Sequence, residues 1–146
     1  MKRIRRATQA EQEAFAAWLQ PRLRDYGITN VDLLEYLNDL VALWRVPSSL
    51  SRYLQGEVRW PKAYLAGLIC FLCETPGLVQ GPGEVLEGLA LLGLEWPQVE
   101  KLLRDHLPEA QAQVRREVLA ALRAAATAER PVVAPVRGEA QRGGPW

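Results

Sequence analysis

The chain reads as an all-α protein. Two observations carry that reading. Apolar residues recur at intervals of three and four through most of the first 128 positions, and no stretch sustains the apolar–polar alternation of a strand. A third supports it: helix-start signals precede the periodic segments, as Thr8 with Glu11, Thr29 with Asp32, and the prolines at 61 and 97. The expected arrangement is a compact bundle of about five helices, then C-terminal helices, then a disordered tail.

The elements follow in order. Thr8 and Glu11 have the spacing of a capping box, and Phe15, Trp18, Leu19 and Leu23 recur at helical intervals. Pro21 removes a backbone bond and crowds the preceding turn, which predicts a helix that bends or restarts there before ending at Gly27. Thr29 and Asp32 open a second helix whose apolar side is expected to hold Val31, Leu34, Leu37, Val41 and Trp44, broadened by Leu33, Leu40 and Leu43. The third helix, over 47–55, stops at Gly56, the residue that adopts a positive φ most cheaply. Trp60-Pro61 starts a fourth, with Tyr64, Leu65, Leu68, Ile69 and Leu72 inward and Pro61 at its first position. A loop over 75–83 leads to an apolar fifth helix over 84–94. Pro97 starts a sixth with Val99, Leu102, Leu103 and Leu107 inside. A seventh runs from Pro108 to about Ala128, with Val114, Val118 and Leu122 four apart. Residues 130–146 are rich in Pro, Gly and Arg with no apolar period, the composition of a disordered segment. The organisation expected is a basic arm (1–7), a helical domain (8–95), C-terminal helices (96–129) and the tail (130–146).

Composition narrows the function classes. The 146 residues are 49% hydrophobic with a net charge of +1, enough apolar matter for a core and too little charge for general polyanion affinity. Charge is unevenly placed. Residues 1–62 hold ten Lys/Arg against seven Asp/Glu, and residues 63–146 hold eight against ten, so an anionic partner belongs with the N-terminal half. The basic start MKRIRR is followed by no apolar secretory region, and the run from Tyr64 to Cys73 is too short to span a bilayer, which takes ~20 residues. The expectation is a soluble cytoplasmic protein with reduced thiols and no membrane association.

The stretch VPSSLSRYLQG (46–56) is unlike a purely structural helix. Serine is a mediocre helix former, yet three serines and one arginine occupy the polar side opposite Leu50 and Leu54. A helix front with free N–H groups, hydroxyls and an arginine suits an anionic, hydrogen-bonding surface. Serine donates to phosphates or base edges, and arginine takes guanine O6 and N7 in a major groove. The candidates for base reading are Ser48, Ser49, Ser51, Arg52 and Gln55. The candidates for phosphate contacts are Arg45, Arg59 and Lys62 around that helix and the arm Lys2, Arg3, Arg5 and Arg6.

The run VPSSLSRYLQGEVRWPKAYLAGLICFL (46–72) resembles the Cro and λ-repressor-like (XRE-type) helix-turn-helix family. The matching positions are Ser49, Leu50, Ser51, Arg52, Tyr53, Leu54, Gly56, Arg59, Pro61, Leu65, Ile69 and Leu72, and PGEVLEGLALLGL (82–94) is similar to the Leu-rich helix that follows the module in some bacterial members. The resemblance covers roughly 12–95. It implies a helix-turn-helix within the bundle, double-stranded DNA as partner, no cofactor, and a bacterial or phage transcriptional regulator that reads the major groove with helix 47–55. The stretch LVALWRVPSS lacks the glycine that the family places before its third helix.

Other features point elsewhere. Cys70 and Cys73 sit in an apolar helical segment without the second ligand pair that zinc needs, and read as small buried side chains, so no metal is expected. One histidine (His106), no phosphate-binding glycine loop and no nucleophile–base ordering argue against an enzyme. Glu35 and Asp39 read as a solvated face, and Trp18 and Trp44 as core. The stripe Val114, Val118 and Leu122 either packs on its own chain or makes residues 97–128 a homodimer surface. The rival function is a helical adaptor that binds another protein and no nucleic acid, which suits the near-neutral charge.

Overall fold

A computed structural model describes residues 6–41 and 47–128. Lys2, Arg3, Arg5, Trp44, Arg45 and the 130–146 segment therefore lie outside the described residues. Among those described there are seven α-helices: α1 (Gln9–Tyr26), α2 (Asn30–Val41), α3 (Pro47–Leu54), α4 (Lys62–Glu74), α5 (Pro82–Ala90), α6 (Trp96–His106) and α7 (Ala112–Ala128), with a 3-10 turn at Glu109–Gln111 before the last. No described helix is long and apolar enough to cross a membrane.

The local signals set the helix ends. Thr8 Oγ1 accepts from the Glu11 N–H at 3.1 Å while Glu11 Oε1 accepts from the Thr8 N–H at 2.9 Å, closing the capping box at the start of α1. Thr29 and Asp32 do the same for α2, at 3.1 and 3.2 Å. After α3 the Glu57 N–H reaches the Arg52 carbonyl and the Gly56 N–H reaches that of Tyr53, the paired bonds of a Schellman ending.

Helix α1 runs through Pro21 to Tyr26 and ends at Gly27, as expected, with Leu19 and Leu23 buried on either side of the proline. Three expectations are corrected. On α2 it is Leu33, fully buried, that joins Leu34, Leu37, Leu40 and Val41 inside, whereas Val31 is 54% exposed. Pro61 caps α4 from outside, its first helical residue being Lys62. Helix α5 ends at Ala90, where residues 91–93 turn the chain so that Leu92 and Leu94 enter the core.

Helix α4 is the axis of the bundle. Nine consecutive residues, Tyr64 to Leu72, are buried, because α2, α5, α6 and α7 pack around it. Gly67 lets α2 come close: a Cβ there would stand 3.0 Å from Leu37 Cδ2. The core continues without a break from Phe15 on α1 to Leu122 on α7, across the expected division at residue 95. Of the C-terminal stripe, Val118 and Leu122 are buried within the chain and Val114 packs partly against the same core. Trp18 is only partly buried, stacked on Phe15 with ring centres 5.7 Å apart.

Candidate functional site

Helix α3 is short, so its position depends on what holds its inner face. Leu50, Tyr53 and Leu54 are buried against α1 and α2. Each such side chain contributes ~1.5–3 kcal/mol on burial. Tyr53 packs against Trp60 (5.5 Å between ring centres) and edge-on to Tyr64 (6.2 Å), and Trp60 meets Phe15 (6.5 Å), so one aromatic cluster ties α3 to α1, to the α3–α4 connection and to α4. Two amides from α1 hold its end: Gln9 Nε2 donates to the Gly56 carbonyl at 2.9 Å, and Gln20 Nε2 donates to the Leu54 carbonyl. At Gly56 the α1 backbone passes so close that a Cβ would lie 3.0 Å from the Gln12 carbonyl oxygen.

The opposite face is polar and turned outward. Ser48, Arg52 and Gln55 are exposed, and Ser49 and Ser51 are half-buried. Arg52 is not free of carboxylates: its Nε lies 3.7 Å from Glu57 Oε1, with both side chains more than half exposed. A pair so exposed is worth at most ~1 kcal/mol and separates easily. Gln55 Nε2 donates to Ser51 Oγ at 3.2 Å, which orders two base-reading candidates against each other.

Five of the candidate residues line two depressions. Ser51 and Gln55 line a cavity of about 440 Å³ with Gln20, Arg24, Thr29 and Asn30, at the junction of α1, α2 and α3. Arg24, exposed at the end of α1, joins the set here. The sequence offers no cue for it beyond its charge, because it is the packing of α1 against α3 that brings it beside Ser51 and Gln55. Arg6, Arg59 and Lys62 line a different cavity of about 650 Å³, between the start of α1, the α3–α4 connection and the α5–α6 turn. Arg59 Nε donates to the Ala7 carbonyl at 3.0 Å, so the arginine ties down the segment before α1. Two of the base-reading candidates and the three described phosphate candidates thus line separate depressions, while Ser48, Ser49 and Arg52 line neither.

The remaining titratable groups are chemically quiet. Burial pushes the Cys70 and Cys73 thiols up to about 12, with the nearby Glu74 charge adding to it, and the same burial raises Tyr36. Thiols at that pKa are poor nucleophiles and poor metal ligands at neutral pH. Among the described residues no three His, Cys, Asp or Glu side chains are grouped to hold a metal. His106 is held below its ordinary value, first by burial and then by the Lys62 charge. Glu35 and Asp39 are exposed. The chain matches no family model, no curated protein and no solved structure.

Proposed function

We propose that the chain is a sequence-specific DNA-binding regulator of transcription, of bacterial or phage type, that reads the major groove with α3. One observation carries this reading: Ser48, Arg52 and Gln55, spaced four and three residues apart, form an exposed polar stripe on a helix whose other face and end are fixed by the aromatic cluster and by two glutamines. A rigid support for a polar stripe is what base readout needs, since a bidentate contact depends on the reader's angle. Arg24 and the start of α2, in the depression beside Ser51 and Gln55, would take the phosphates flanking the groove. The resemblance of residues 46–72 to the Cro-like module supports the same assignment.

The test is selection from random duplex DNA followed by binding measurements. A discrete motif is expected, and Arg52→Ala should weaken binding to it by about ten-fold or more while leaving thermal stability unchanged. Arg24→Ala should weaken all duplexes alike and lower the salt slope by about one. No retention on any duplex at low salt, or an unchanged Arg52→Ala variant, overturns the assignment. The adaptor reading has one observation of its own: Val31, 54% exposed, presents apolar surface beside the α1–α2 turn. It predicts a protein that ignores DNA and binds a partner protein through that surface, which Val31→Asp would abolish.

A further inference from the structure

We propose that the 650 Å³ cavity is a binding site for a small amphipathic carboxylate, with the apolar body on its leucine floor and the carboxylate held between Arg59 and Lys62. The inference does not rest on DNA binding.

The volume lies inside the ordinary small-molecule range of ~300–1,000 Å³. The floor comes from three parts of the fold: Leu65 on α4, Leu92 and Leu94 in the turn after α5, and Leu102 on α6, with Trp60 as a side wall. These leucines belong to the continuous core, so the floor is rigid. The rim is cationic and none of the lining residues is acidic. Arg59 is steadied through its Nε by the Ala7 carbonyl, and among the described residues neither Arg59 nor Lys62 has a carboxylate within ion-pair distance. The Lys62 charge is felt nearby: it helps to hold His106 down, and it adds to the lowering of Asp105, whose closer partner is Lys101.

The chemistry of the ligand follows from that division. A wholly apolar guest would leave the cations unused, and a polyanion would set most of its surface against leucine. One carboxylate between an arginine and a lysine, on a hydrocarbon or aromatic body, matches both parts.

Calorimetry on the full chain with three eight-carbon probes, below their aggregation concentrations, tests this. Octanoate should bind about ten-fold or more tightly than 1-octanol, and octylammonium more weakly than either. In the variant Arg59→Gln with Lys62→Gln, octanoate should fall to the level of octanol while octanol is unchanged. The wild-type comparison stands even if that variant does not fold. Octanoate no tighter than octanol, no heat from either probe (as when residues 1–5 fill the cavity), or a folded double variant that keeps its preference would each overturn the proposal.

Discussion

Substituting Gly56 by alanine, with Gly27→Ala as its matched control, isolates what fixes α3 to α1. Both glycines end a helix in the left-handed region, at φ +77° and +82°. For an L side chain that conformation costs ~1–2 kcal/mol. Alanine also restricts the unfolded chain, which returns ~0.4–1 kcal/mol. At Gly27 nothing lies within 4 Å of the added methyl, so the net loss should be ~1 kcal/mol. At Gly56 the methyl meets backbone: the Gln12 carbonyl oxygen at 3.0 Å, and Gln12 C and Glu13 Cα at 3.2 Å. Neither can swing aside as a side chain would, because both belong to α1, and overpacking of this kind adds ~1–3 kcal/mol. The expected loss at Gly56 is therefore ~2–4 kcal/mol. Urea titration followed by circular dichroism reads it as a fall in midpoint at constant slope. Equal losses for the two variants would refute the reasoning, since they would mean that α3 tolerates displacement from α1 and that its fixed orientation is not real.

Two further outcomes follow from the titratable groups. The thiols of Cys70 and Cys73 are neutral in the folded protein up to about 12 against an ordinary value of 9.0, so the folded state holds its protons more tightly. Their contribution to stability is complete below the ordinary value and is lost as the pH climbs from there through about 12; an alkaline urea series should show that decline, and Cys70→Ala with Cys73→Ala should flatten it. A disulfide reagent at neutral pH should label the native chain far more slowly than the urea-unfolded chain; equal rates would contradict the burial of Cys70. Glu84 is held below its ordinary 4.5, first by the Gln80 N–H (2.6 Å) and then by Arg22, whose Nε donates at 2.8 Å. That stability is present above 4.5 and disappears as the pH falls through the lower folded value, so Glu84→Gln should cost ~1 kcal/mol at neutral pH and less in acid. Part of the acid slope should survive the substitution, because Arg104 and Arg123 hold Glu100 down in the same way. A Glu84→Gln penalty that does not change between neutral and acid pH would contradict the assignment.

The amino-acid sequence alone determined the all-α class, the capping boxes at Thr8 and Thr29 and the glycine stops after α1 and α3. These are legible because a cap is made by residues three or four apart, within reach of each other whatever the rest of the chain does. Periodicity went less far: Val31 and Leu33 both stand at helical spacing from the inner leucines of α2, and only the packing around that helix selects Leu33. The tertiary structure alone decided which polar residues share a surface. Arg24 joins Ser51 and Gln55 through the packing of α1 on α3, while Arg59 and Lys62 are set over Leu94 and Leu102 by the wrapping of α5 and α6 around α4. A spacing pattern states which way a side chain faces; what stands opposite it comes from segments distant in sequence, and only their packing brings them together.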